Sequence, residues 1–114
     1  MFLSELESGA RVVSLGAVVV ALAAALGHGL QALVLTPRAQ NPTGAALDED
    51  RVRALRRVLR AHPDVLIVED DHAGPIAGAP ALTLTTATRP RWAVVRSVAK
   101  SLGPDLRLAV LSGD

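Results

Sequence analysis

The chain has 114 residues, half of them hydrophobic and a fifth charged, with a formal net charge of +1. That length is one domain at most, and that balance is globular, not disordered. There is no cysteine, which excludes disulfides, thiolate chemistry and cysteine-based metal sites and fits a reducing compartment. Aromatic residues are limited to Phe2 and Trp92, which argues against a nucleic-acid surface built on base stacking.

The N-terminal third carries few polar residues. ARVVSL at 10–15 has the β-branched content of a short strand, and Gly16 is expected to break it. Val18 to Leu26 then reads as a helix of small apolar residues, ending at Gly27 or Gly29. Being apolar nearly all round, it should be covered on most faces. The apolar run Val12 to Leu26 also admits a membrane or export segment. It is short for a bilayer span, and Met1 to Arg11 has two glutamates and one arginine, a poor signal-peptide start. The buried strand and helix are the preferred reading.

Ala32 to Leu35 is a continuous apolar run of the kind found in buried parallel strands. Thr36 to Gly44, TPRAQNPTG, is a loop by its prolines, asparagine and glycine. Asp48 is placed to cap the next helix, with Glu49 and Asp50 in its first turn. Val52, Leu55 and Leu59 form its apolar face, and Pro63 ends it. Its arginines at 51, 53, 56, 57 and 60 read as a solvated face over that stripe, in preference to a nucleic-acid patch.

Val65 to Val68 is the second buried strand, with Glu69-Asp70-Asp71-His72 at its end. Ala73 to Arg91 reads as an irregular connection. Trp92 to Val95 is a third strand and Leu106 to Leu111 a fourth. Strand, helix, then further strands imply an α/β architecture.

In open α/β sheets, ligands bind outside the carboxyl ends of the strands. Asn41 follows the first strand, Asp70 the second, and Ser97 and Lys100 the third. If these strands are parallel, all three clusters meet at one edge. Each cluster also has a bland reading: NPTG as a tight turn, Lys100 as a surface charge, His72 as a strand-end histidine. EDDH could be a metal cluster, but adjacent residues on a strand point to opposite sides, so few could share an ion. Lys100 follows a buried strand and small residues, and desolvation there would help it lose its proton.

LTPRAQNPTG, VEDDHAGPI and RSVAKSLGPDLRLAV occur in this order. Together they resemble the aminotransferase class I/II domain, of fold type I with its mostly parallel sheet, in MocR-type regulators. Those proteins join a GntR-type winged helix-turn-helix to a domain that uses pyridoxal 5'-phosphate (PLP). The resemblance is strongest over residues 30–114. It implies a PLP-binding domain that transfers amino groups or senses an amino-acid effector, in a cytoplasmic homodimer that meets DNA only through the winged helix.

The resemblance also implies roles. Lys100 resembles the Schiff-base lysine. Asn41 resembles the asparagine on the PLP phenolic oxygen, and Asp70 the aspartate on the pyridine nitrogen. Ser97 and Arg107 resemble the phosphate-holding pair. His72 stands where most relatives have a tyrosine, though a branch of the MocR-like group carries EDDH, and an imidazole N–H could donate a similar bond. The glycine-rich phosphate loop, the stacking aromatic, the C-terminal domain and the winged helix are not visible. Gly16 runs directly into the apolar helix, which suggests an internal deletion. The alternative expectation is therefore a truncated, non-catalytic fragment that keeps the fold signature. Its exposed sheet edges should favour association with another chain.

Overall fold

A computed structural model describes residues 15–114. The elements are α1 (Leu15–Gly27), β1 (Ala32–Leu35), α2 (Glu49–Leu59), β2 (Leu66–Asp71), β3 (Trp92–Ser97) and β4 (Ala109–Gly113). A short 3-10 turn occupies Gly74–Ile76. The four strands form one sheet in the order β1-β2-β3-β4. β1, β2 and β3 run parallel, and β4 returns antiparallel to β3. The α/β class with a mostly parallel sheet is as the sequence implies.

Side chains alternate across a strand, so each strand feeds both faces of the sheet. Leu33, Leu35 and Ile67 point to one face, where both helices lie. There they meet Leu22 and Leu26 of α1 and Val52, Leu55 and Leu59 of α2, with Val65 and Leu84 closing the cluster. The expected stripe of α2 is thus its buried face. Asp48 caps the helix, its carboxylate accepting from the Arg51 amide at 2.7 Å. On the opposite face Val34, Val68 and Val95 remain partly exposed.

Several expectations need correction. Gly16 does not break the chain: it is the second residue of α1, which starts three residues before the expected helix. The expected strand at 10–15 lies outside the described residues, apart from Leu15. α1 is not covered on most faces either. Leu22 and Leu26 are buried, but Val20 is 68% exposed because the helix meets the core along one side only. No described helix is long and apolar enough to cross a membrane.

β2 and β3 run past the expected ends because their ladder continues to Asp71 and Arg96. β4 begins at Ala109, not Leu106. Ser97 pairs with Ala109, whereas Leu106 donates its amide back to the Gly103 carbonyl at 3.2 Å, in the turn after Lys100. At its far end β4 needs a glycine. A Cβ on Gly113 would lie 2.8 Å from the Trp92 carbonyl oxygen. Beyond it the Asp114 carboxylate accepts from the Arg91 and Trp92 amides, at 2.9 and 3.3 Å.

The irregular segment between β2 and β3 is held by charged side chains on backbone. Arg89 donates to the carbonyls of Leu59, His62 and Val65, at 3.1, 2.9 and 2.8 Å. It adds a second donor to the carbonyl that ends α2 and to the His62 carbonyl, and it supplies one to Val65, tying the turn after the helix together. Burial pulls its guanidinium below the ordinary arginine value, yet it has no neutral form to retreat to near neutral pH. Arg56 ties α2 to the Thr83 and Thr85 carbonyls, at 2.7 and 3.1 Å. We expect Arg89→Met to lower unfolding stability by about 2 kcal/mol in urea titration, since it removes three charge-assisted hydrogen bonds and leaves the Val65 carbonyl without its donor. The same change at exposed Arg57 should cost less than about 0.5 kcal/mol.

Candidate functional site

The parallel order of β1, β2 and β3 brings the ends of all three strands to one edge of the sheet. Asn41 lies in the exposed turn after β1. Asp70 is the penultimate residue of β2, and His72 follows directly. Ser97 ends β3, and Lys100 sits in the turn beyond it. The antiparallel return of β4 places the residues before it at that edge too. The Val98 amide donates to the Leu108 carbonyl at 3.1 Å, so Arg107 enters from the loop beside the end of β3.

Six sequence-selected residues therefore share an edge, although hydrogen bonds among the described residues do not join them to one another. Ser97 is half-buried, and its hydroxyl accepts from the Ala99 amide at 3.2 Å, shaping the turn that carries Lys100. Lys100 and Arg107 are both exposed. The expected desolvation of Lys100 is thus not provided by the described residues.

The acidic run at the end of β2 is divided by the pleat. Glu69 and Asp71 face the covered side, each 2% exposed, whereas Asp70 is exposed on the other face. The register pairs Asp70 with Val95 and Asp71 with Arg96, so the Asp70 face is also that of Ser97. Glu69 accepts from the Thr83 hydroxyl at 2.6 Å and the Leu84 amide at 2.5 Å.

Asp71 is bound more heavily. Arg38 meets both its oxygens, Nε to Oδ1 at 2.7 Å and Nη2 to Oδ2 at 2.8 Å. Arg96 Nε stands 3.3 Å from Oδ2. The Arg38 hydrogen bonds hold the Asp71 carboxyl below the ordinary carboxylate range, against the opposing effect of burial. The same bonds raise the Arg38 guanidinium above its ordinary value.

This division bears on what each carboxylate can do. Asp71 has its acceptor capacity filled by protein, whereas among the described residues no side chain or amide bonds to the Asp70 carboxylate. Among the described residues no group of three or more metal-ligating side chains is gathered together. A cavity of about 300 Å³ lies on the covered face, lined in part by Glu69, Asp71, Thr83, Trp92 and Arg96. Its two carboxylates are already engaged, and it is on the opposite side of the sheet from Asp70 and Ser97.

The remaining donor set suits a phosphorylated heteroaromatic aldehyde. Asp70 is an uncommitted carboxylate for a ring nitrogen, beside the apolar face of Val68 and Val95. Lys100 offers an accessible amine, and Ser97 and Arg107 offer donors for phosphate.

Arg38, Asp71 and Arg96 were not singled out from sequence. Alternation along β2 separates Glu69 and Asp71 from Asp70, but the covered side is set by the helices, and nothing local pairs Asp71 with Arg38.

An open α/β sheet with its polar residues gathered at the carboxyl edge is the layout of the large domain of fold type I enzymes. Residues 13–114 match the family Aminotransferase class I and II, and the chain belongs to that family. It is 46% identical over 90 residues to the vitamin B6 salvage pathway transcriptional repressor PtsJ of Salmonella typhimurium (strain LT2). That alignment covers 79% of this chain and 21% of the repressor, so the chain spans about a fifth of that relative's length.

Among solved structures, an archaeal alanine:glyoxylate aminotransferase aligns with a TM-score of 0.68 at 18% identity, over 89% of this chain and 26% of the other. A decarboxylase from Sulfurospirillum multivorans aligns with a TM-score of 0.58 at 20% identity, over 84% of this chain and 26% of the other. At these identities the likeness is one of fold. The resemblance to an aminotransferase-like domain of a regulator is borne out by the family match and the repressor relative.

The Asp71–Arg38 pair has a pH signature. Because the folded value of Asp71 is depressed, its contribution is fully present above the unfolded value near pH 4 and is lost as pH falls through the folded value. Asp71→Asn should cost about 3 kcal/mol at neutral pH, by leaving Arg38 without its counter-charge. The gap between wild type and variant should narrow below about pH 4, as read from denaturation midpoints at several pH values. A gap independent of pH would show that the carboxylate charge is not what the fold uses.

Proposed function

We propose that this chain is the PLP-holding segment of an aminotransferase-like domain, of the kind that serves a transcriptional regulator. The observation that carries the reading is the split at the end of β2: Asp71 is consumed by Arg38, while Asp70 is left free on the face of Ser97. The repressor relative, whose name refers to vitamin B6 salvage, favours a sensing role over turnover. In such a regulator, DNA would be met by a separate winged helix and the aminotransferase-like domain would pair with its copy. Such a protein would work in the cytoplasm.

Bound PLP supplies an electrophilic carbon and a ring that accepts electron density. The chain's own residues would bind and orient it. The Asp70 carboxylate would hold a proton on the pyridine nitrogen. Asn41 and His72 would donate N–H groups to the phenolic oxygen. The Ser97 hydroxyl and the Arg107 guanidinium would bind the phosphate oxygens. Lys100 Nζ, once deprotonated, would be the covalent anchor.

A second reading has specific support. Lys100 and Arg107 are exposed, and the described residues place no cover over them. A non-catalytic segment that binds PLP weakly and turns over no amino acid fits that exposure. The two readings share their binding residues and differ in how tightly PLP is held, the second also excluding any turnover.

The test is PLP titration followed by borohydride reduction and peptide mass spectrometry. A pyridoxyl group should appear on Lys100, and Lys100→Ala should abolish it. Asp70→Asn should weaken PLP binding by about tenfold or more, the scale of one charge-assisted hydrogen bond, whereas the second reading adds that no amino acid is transaminated. A folded chain that carries no label would refute the cofactor reading.

Self-association is a further expectation. Leu108, Val110 and Leu111 are 59%, 59% and 70% exposed at the β4 edge. Sedimentation velocity should show dimers or larger species at micromolar concentration, and a strict monomer would count against it.

A further inference from the structure

We infer that Arg38 and Asp71 are a positioning pair for the site proposed above, fixing the loop of Asn41 and the strand end of Asp70 against each other. The inference rests on the PLP reading and adds two residues that lie on the other face of the sheet and touch no cofactor.

The pair acts where the β1–β2 ladder has stopped. The β1–β2 ladder ends with Leu35 opposite Glu69. Arg38 and Asp71 lie beyond that last rung, so the register of β1 against β2 does not need them. What they order is the chain after the strands. The Arg38 guanidinium grips both Asp71 oxygens, and its remaining Nη1 donates to the Ala79 carbonyl at 2.9 Å. Its side chain is 11% exposed and that of Asp71 is 3% exposed, so water competes little for either. Arg96, the residue before Ser97, brings the end of β3 to the same carboxylate. One buried anion thus joins the ends of three strands, each of which bears a proposed cofactor contact.

The loop beyond Arg38 is built to transmit this. Ala39 stands at φ 52, a conformation that costs a non-glycine residue about 1 kcal/mol or more and persists only where its surroundings enforce it. The next residues close on themselves. The Gln40 amide donates to the Ala45 carbonyl at 3.1 Å, the Gly44 amide to the Gln40 carbonyl at 2.6 Å, and the Thr43 hydroxyl to Gln40 Oε1 at 2.7 Å. Asn41 therefore sits in a small bonded unit, with Arg38 at its root as the side-chain tie to β2. If the root turns, Asn41 turns with it.

The experiment compares the wild-type chain with Arg38→Lys and with the double variant Arg38→Gln, Asp71→Asn. Lysine keeps the charge but loses the fork, and the double variant removes both charges together, so neither strands a buried ion. Folding is followed by circular dichroism and urea titration, binding by the visible spectrum of added PLP, and the anchor by borohydride labelling of Lys100. Both variants should fold and still label at Lys100. They should bind PLP about tenfold more weakly, the scale seen when orienting groups behind a metal site are lost, with an altered pH dependence of the bound-cofactor spectrum. Amide exchange at Gly44, Ala45 and Leu47 should accelerate. Folded variants with wild-type affinity and spectrum would overturn the inference while leaving the cofactor reading intact. A double variant that does not fold would also overturn it, making the pair a staple of the fold. A folded wild-type chain with no label would remove the cofactor reading and this inference with it.

Discussion

A β-strand cannot point two successive side chains the same way, and at the end of β2 this rule falls on three acidic residues in a row. Glu69 and Asp71 are driven into the face that the helices and the 81–85 segment cover. There a carboxylate needs hydrogen-bond or charged partners. Glu69 finds them in a hydroxyl and an amide, and Asp71 in a guanidinium fork. Asp70, between them, is left on the other face. The geometry that secures the loops is the same geometry that leaves one carboxylate available for chemistry.

The arginines follow a related logic. An arginine-rich helix invites a nucleic-acid reading, but these side chains divide by what they meet. Arg56 is spent on the carbonyls of 83 and 85, and Arg53 pairs with Asp50 on the helix surface. Arg89, outside the helix, closes its C-terminal end. A long connection with little regular structure leaves many backbone acceptors open, and a planar group with five donors can satisfy several at once. Net charge near zero and an arginine-rich helix are therefore compatible with a fold that uses arginine as internal mortar.

Much of this was legible in the sequence because it depends on short-range pattern. Ala32 to Leu35 is bounded by a polar residue and a proline and is found at those bounds. Asp48 caps its helix, and Val52, Leu55 and Leu59 are its buried face. What was not legible depended on partners distant in sequence. β4 starts three residues late because its register is set by pairing with β3, not by its own apolar run. Gly16 sits inside a helix because the packing of Leu22 and Leu26 against the sheet outweighs one glycine's weak helix propensity. Arg38 and Asp71 are 33 residues apart, and no local signal joins them.

The site was legible in a different sense. The sequence placed its residues at strand ends, and parallel pairing turned those ends into one edge. Why Asp70 and not Asp71 meets the open face, by contrast, is a question of facing, set by which side the helices take. Once that side is fixed by Leu33, Leu35 and Ile67, the parity of β2 decides the rest. A shift of one residue in its register would send Asp70 to the covered face and bring Asp71 to the open one, exchanging their roles. The apolar residues that set the register thus select the carboxylate, although they lie on the face opposite to the one where it acts.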